Sequence, residues 1–141
     1  MRQRVRAVGH PNVTAQHTST FELTSDDWLT PAGDCILGIE AEPAPAAFDE
    51  GFVEACRSET ARITATLRVE GTEQVIAGRG HPDLTFESDR SMVGRTSEYV
   101  DDRTVMIDAD TPAAGVDRDI VDALADGAVL DCSFEVEQRI E

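Results

Sequence analysis

Lysine is absent from this sequence: all 12 basic residues are arginine, set against 28 aspartates and glutamates for a formal net charge of −16. Clustered cations, which a phosphate backbone requires, occur only at Arg2, Arg4 and Arg6, so nucleic acid is not the favoured partner. Aromatic residues are scarce at 5%, which leaves Val, Ile, Leu and Ala to fill the core. Only three cysteines occur, Cys35, Cys56 and Cys132. Their odd number and their spacings exclude a disulfide framework and a compact metal motif, and they read as free thiols in a reducing compartment. No apolar run approaches a membrane span, and the opening MRQRVRAVGHPN lacks the apolar region of a signal peptide. A soluble, cytoplasmic protein that does not touch the membrane is expected. Gly-x-Ser-x-Gly, P-loop, Cys-x-x-Cys and Rossmann signatures are all missing, so the reading leans away from an enzyme and implies no cofactor.

What is present begins with the acid. A carboxylate surface without lysine suits a salt-loaded cytoplasm, where repulsion is screened within about 3 Å at molar salt. In dilute buffer the same charge density strains the compact state.

An internal repeat organises the chain. Residues 9–14 read GHPNVT and residues 80–85 read GHPDLT; Ile39-Glu40-Ala41-Glu42 is matched by Ile107-Asp108-Ala109-Asp110. Phe48, Phe52, Val53 and Cys56 form one helical stripe, and Val116, Ile120, Val121 and Leu124 form another at the same spacing. Asp49 and Glu50 open the first helix, Asp117 opens the second, and Gly127 stops it. Strict alternation follows each helix. Ile63, Ala65, Leu67 and Val69 oppose Arg62, Thr64, Thr66 and Arg68; Leu130, Cys132, Phe134 and Val136 oppose Asp131, Ser133, Glu135 and Glu137. Both are half-buried strands. At the front of the first copy, the parity of Val13, Ala15, Phe21 and Leu23 predicts a long strand or a bent pair. A Gly33-Asp34 turn and a short buried strand over Cys35–Ile39 come next. Thr104–Ile107 matches that strand after a turn at Asp101-Asp102, and Val75-Ile76-Ala77 predicts a further short strand in the link.

The expected fold class is β-rich α+β, one domain over 1–141 made of two repeats, about 8–70 and 79–137. Each repeat is a β-β-α-β unit. A lone unit has open edges; two about a pseudo-two-fold close into a small barrel of the cradle-loop or double-psi kind, with two helices over its ends. The alternative is an open α+β sheet with both helices on one face.

The strings GHPNVTAQHTSTFELT, LTPAGDCILGI, GRGHPDLT and DDRTVMIDAD resemble an archaeal family known as domain of unknown function 371, from about Val8 to Val136. The resemblance implies a compact duplicated α/β or barrel domain, here in a haloarchaeal member. It implies no activity and carries over no catalytic residues. The second copy departs from the family's pattern near Gly94-Arg95-Thr96, which implies a weaker basic site.

Any site is expected near the two Gly-His-Pro turns. His10 and His81 occupy equivalent places, so a dyad could bring the imidazoles together, with Asn12 and Asp83 placed to orient them. The structural alternative is a turn that needs Gly for its dihedral, Pro for its fixed φ and His as its cap. His17 shares parity with Phe21 and Leu23 and should point inward or toward a cavity; three histidines among carboxylates fit no compact ligand motif, so no metal is assigned. Asp34 reads as a turn device accepting backbone N–H groups. Arg6 and Arg79 flank the two motifs and could hold phosphate or carboxylate. Asp34 beside Cys35 should raise that thiol's pKa. The leading reading is a small ligand-binding or interaction module, and no catalytic residue is assigned. One alternative is a small enzyme using the histidine pair on a small anionic ligand. The other is an RNA- or translation-associated protein, which needs Arg2, Arg4, Arg6 and Arg79 on one face. A homodimer is compatible with all three.

Overall fold

The two stretches of strict alternation become neighbouring strands. The computed structural model describes residues 1–138. In it β1 (Arg2–Val8), β2 (Thr20–Thr24) and β3 (Ile36–Glu42) precede α1 (Glu50–Cys56) and β4 (Ala61–Val69); β5 (Thr72–Arg79), β6 (Ser91–Arg95) and β7 (Thr104–Met106) precede α2 (Arg118–Ala125) and β8 (Val129–Gln138). A short 3-10 turn, Pro45–Ala47 or Ala113–Gly115, leads into each helix. The eight strands form one sheet in the order β5-β4-β8-β1-β3-β2-β6-β7. All pairs are antiparallel except β2 with β3 and β6 with β7. β5 and β7, at the two ends of that order, meet at a single antiparallel bridge: Arg79 and Ile107 exchange N–H···O bonds of 2.9 and 3.0 Å.

The alternation predicts the buried face correctly. Ile63, Ala65, Leu67 and Val69 of β4 and Leu130, Cys132, Phe134 and Val136 of β8 are all buried. Phe48 gathers Phe52, Phe86 and Phe134 around it with ring centroids 6.0, 6.0 and 6.2 Å away. Four of the seven aromatic rings thus meet in one cluster with α1 and β8, where large rings bury most area per side chain. Asp49 caps α1, its carboxylate accepting the Phe52 N–H, and Asp117 caps α2 by accepting the Asp119 N–H. Gly127, at φ +89, follows α2 as its stop. Glu70 and Gly71 both take positive φ between the paired Val69 and Thr72, the two-residue turn whose twist suits a hairpin.

Two expectations are corrected. No long strand runs from Val13 to Leu23; only Thr20–Thr24 pairs. Ala15 sits at φ +48, and Phe86 in the second half at φ +52; a left-handed residue turns the chain out of the extended conformation however well the parity fits. The expected β-β-α-β order also falls one strand short. Each helix is preceded by three strands, because Arg2–Val8 and Thr72–Arg79 are full strands. Alternating arginines disguised the first, and the link hid all but three residues of the second. Among the described residues no helix is long and apolar enough to cross a membrane.

Candidate functional site

Each Gly-His-Pro segment leaves a strand, β1 or β5, and turns beneath the end of a helix. Gly9 donates its N–H to the Ala128 carbonyl at 2.8 Å, and Gly80 to that of Ala61 at 2.9 Å. A Cβ on Gly9 would lie 1.9 Å from the Leu124 carbonyl oxygen, and one on Gly80 would lie 2.0 Å from that of Cys56. Only glycine admits this approach. The His81 N–H also donates to the Cys56 oxygen at 3.2 Å, satisfying a carbonyl at the end of α1 that has no partner in the helix.

The imidazoles then close the turns. His10 Nδ1 accepts the Asn12 N–H at 3.0 Å, and His81 Nδ1 accepts the Asp83 N–H at 2.9 Å. The histidines are therefore oriented by the backbone of residues 12 and 83, not by their side chains. Asn12 Nδ2 instead donates to the Leu29 carbonyl at 2.8 Å, and the Asp83 carboxylate is largely exposed, 3.8 Å from His81 Nδ1. With Nδ1 an acceptor, each ring carries its proton on Nε2, the one nitrogen left for a ligand.

His17 is half-buried rather than inward. Its Nδ1 accepts the N–H groups of Ser19 and Thr20, both at 3.2 Å. Ser88 does the same before β6, its hydroxyl accepting from Arg90 at 3.2 Å and Ser91 at 3.0 Å. A serine in the matching place shows that this work needs an acceptor and no imidazole chemistry. Asp34 does serve the turn, but through its carbonyl oxygen, which accepts from Gln16 at 3.0 Å and His17 at 3.2 Å.

The structure brings Arg79 and His81 together and leaves His10 and Arg6 elsewhere. A cleft of about 500 Å³ is lined by Glu59, Arg79, His81 and Glu98. Arg79 is held there by Asp108 at 2.5 Å and Glu98 at 3.1 Å, and the hydrogen bond to Asp108 keeps its pKa above the ordinary arginine value. Arg6 lines a separate groove of about 330 Å³ with Arg4, Val5, Glu42, Val129 and Asp131. Sequence reasoning missed Glu59, Glu98 and Asp108, because nothing local marks a surface acid as the neighbour of one particular arginine. It also missed Arg118, whose guanidinium donates to the carbonyls of Ala15, Ala113 and Val116 at 3.1, 3.2 and 2.9 Å and fastens the start of α2 to the first turn.

The cysteines offer no nucleophile. Burial first, and then the Glu22 carboxylate, push Cys35 up to about 11, with Asp34 a smaller contribution. Burial pushes both Cys56 and Cys132 up to about 12. The raised value favours the neutral thiol, so at pH 8 the Cys35 thiolate fraction is on the order of one in a thousand. Alkylation of the folded protein by iodoacetamide at pH 8 is expected to be more than tenfold slower than after unfolding in urea, approaching the unfolded rate only near pH 11. Labelling of folded protein at pH 8 as fast as free cysteine would contradict this environment. Among the described residues no group of three or more His, Cys, Asp or Glu is placed to hold a metal ion.

Two comparisons bear on this site. The model of a family described as a domain of unknown function (DUF371) matches residues 5–137. An uncharacterized protein of Methanocaldococcus jannaschii is 41% identical over 126 residues, covering 89% of this chain and 93% of that relative.

Proposed function

The chain belongs to the domain-of-unknown-function family DUF371, and on that premise we propose a non-catalytic binding module: two copies of one unit closed about an approximate dyad, taking a small ligand at the second Gly-His-Pro turn. Neither the family's description nor the relative's names an activity, so the proposal rests on geometry.

Duplication is supported by irregularities, which are harder to match by accident than strands. The left-handed residues Ala15 and Glu40 have counterparts in Phe86 and Asp108. Thr14 and Thr85 each bury a hydroxyl oxygen with no partner. Each glycine packs on the helix of the other half, Gly9 on α2 and Gly80 on α1. Matching positions also face each other across two of the inter-half pairings, Glu22 opposite Val93 and Thr66 opposite Ser133. The Arg79–Ile107 bridge is the counterpart of the Val8–Ile39 pairing between β1 and β3. It supports reading the eight strands as a closed barrel of the cradle-loop kind.

The single observation that carries the site is the cleft where His81, with only Nε2 uncommitted, stands beside Arg79, Glu59 and Glu98. Arg79 is already occupied by two carboxylates, so a bare anion would have to displace one of them. A small zwitterion suits the cleft better: its negative end accepts a hydrogen bond from the His81 Nε2–H and its positive end meets Glu59 and Glu98. The cleft holds one imidazole and no activated nucleophile, which favours binding over turnover. The missing lysine and the excess acid support a salt-loaded cytoplasm as its setting. Titration with free amino acids, followed by amide and imidazole NMR shifts, is expected to move the signals of Glu59, Arg79, His81 and Glu98. His81→Ala should weaken binding about tenfold, the loss of one hydrogen bond to a charged group, and His10→Ala should leave it unchanged. Shifts centred on His10, or no saturable shifts at all, would reject the site.

A further inference from the structure

One local construction occurs twice in the chain, and only one copy carries its own cation. Before α2 the guanidinium of Arg118 donates to five carbonyls: Thr14 at 3.3 Å, Ala15 at 3.1 Å, Ala113 at 3.2 Å, Ala114 at 3.4 Å and Val116 at 2.9 Å. The oxygens converge from two directions, the left-handed bend at Ala15 and the 3-10 turn that leads into the helix.

The backbone before α1 follows the same course. Phe86 takes φ +52 where Ala15 takes φ +48. The Ala46 N–H donates to the Ser88 carbonyl at 2.9 Å, as the Ala114 N–H donates to that of His17 at 2.9 Å. Phe48 closes its 3-10 turn on the Pro45 carbonyl, as Val116 does on that of Ala113, both at 3.0 Å. Asp49 and Asp117 then cap the two helices. The counterparts of the five carbonyls are therefore those of Thr85, Phe86, Pro45, Ala46 and Phe48. Arg118 is the first residue of α2; the first residue of α1 is Glu50. Among the described residues no group donates to the carbonyls of Thr85, Phe86, Ala46 or Phe48. Phe86 and Phe48 are only 3% and 5% exposed, and a buried carbonyl without a partner is costly.

We propose that these five carbonyls and the Glu50 carboxylate bind a potassium ion, which does before α1 the work of Arg118 before α2. Every converging group is an acceptor, so the occupant must bring protons or positive charge. A water molecule has two protons to share among four carbonyls; an ion serves them together, its hydration shell replaced by carbonyl oxygens. Size selects the ion. The Arg118 nitrogens stand 2.9–3.4 Å from their oxygens, and a cage of that width suits a large monovalent ion. Calcium requires about 2.3–2.6 Å and magnesium about 2.0–2.1 Å. Glu50 reverses the sign of Arg118: one half of the chain supplies the charge itself, and the other draws it from solution. Arg118 also shows that a cation is tolerated beside a helix N-terminus, against the dipole. The site lies at the start of α1, whereas His81 meets the carbonyl of Cys56 at its end, so it does not rest on the His81 cleft.

The test is carbonyl-carbon NMR of the full chain, with KCl replacing tetramethylammonium chloride at a constant ionic strength that keeps the protein folded. Saturable shifts are expected at Thr85, Phe86, Ala46 and Phe48. None is expected at Thr14, Ala15, Ala114 and Val116, whose oxygens Arg118 already engages. With KCl about tenfold above half-saturation, Tm should exceed that in tetramethylammonium chloride by about 4 °C. Glu50→Arg supplies a guanidinium in the matching place and should abolish that difference. Glu54→Arg makes the same change of charge at an exposed position of α1 and should preserve it. Glu50→Gln should weaken potassium binding roughly threefold to tenfold by removing the one charged ligand, and His81→Ala should leave it unchanged. Equal shifts in both sets of carbonyls, or none that saturate, would mean that water or bulk salt serves them, and the site is then overturned. A potassium-dependent difference in Tm that survives Glu50→Arg overturns it as well.

Discussion

Gly80→Ala should destabilise the protein by about 3 kcal/mol, at the upper end of overpacking costs, and so lower Tm by about 10 °C for a chain of this size. The added Cβ would sit 2.0 Å from the Cys56 carbonyl oxygen and 3.0 Å from the Ala61 Cβ. The nearest obstacle is backbone at a helix end, not a side chain that can rotate away. Moving it breaks the Gly80 N–H bond to Ala61 and the His81 N–H bond to Cys56, so buried polar groups lose partners as well as space. Gly9→Ala faces the same obstacle at Leu124, 1.9 Å away, and should cost as much. Gly71→Ala is the control. It has φ +82 and nothing within 4 Å of its added Cβ, so only backbone strain remains, roughly 1 kcal/mol. Denaturant melts of the three variants check the ranking. A Gly80→Ala midpoint no lower than that of Gly71→Ala would show that the close approach of turn and helix is not what makes this glycine necessary.

A comparable effect is expected from salt. Between 0.05 M and 2 M KCl the thermal midpoint should rise by more than about 15 °C, the equivalent of roughly 4 kcal/mol for a domain of this length. Two electrostatic contributions oppose each other. Screening weakens the surface ion pairs, such as Arg2–Glu135 and Arg90–Asp26, but exposed pairs contribute only about 0–1 kcal/mol each. Screening also relieves repulsion among the excess of 16 negative charges, which is long-ranged when the Debye length is about 10 Å at 0.1 M and short-ranged at about 3 Å near 1 M. Repulsion wins because every excess carboxylate repels all the others, while each pair acts alone. Glu87, Asp89 and Asp102 share one cleft wall with Glu22, so replacing the first three by their amides should shift the curve toward lower salt. A midpoint that does not move across this range would remove the case for salt adaptation.

The segments legible in the sequence are those governed by near neighbours. The stripes through Phe52 and Cys56 and through Ile120 and Leu124 are the buried faces of α1 and α2. The alternation at Ile63 and at Leu130 marks β4 and β8, which pair with each other. Asp49, Asp117 and Gly127 act where their chemistry puts them. Parity failed at Val13–Leu23 because the left-handed conformation of Ala15 leaves no trace in hydrophobic periodicity. The turn role of Asp34 was legible but its acceptor was not, because a carbonyl oxygen, which every residue has, does the work expected of the carboxylate.

The sequence by itself determined the buried faces of α1, α2, β4 and β8 and the caps at Asp49 and Asp117, since these follow from residue type and spacing. Only the tertiary structure decided that Arg79 meets His81 while Arg6 joins the arginines of β4 across β8, and that each Gly-His-Pro turn rests on the helix of the other half. Periodicity assigns a residue to a face, but strand order and register assign its neighbours, and those are settled by pairings between residues far apart in the chain.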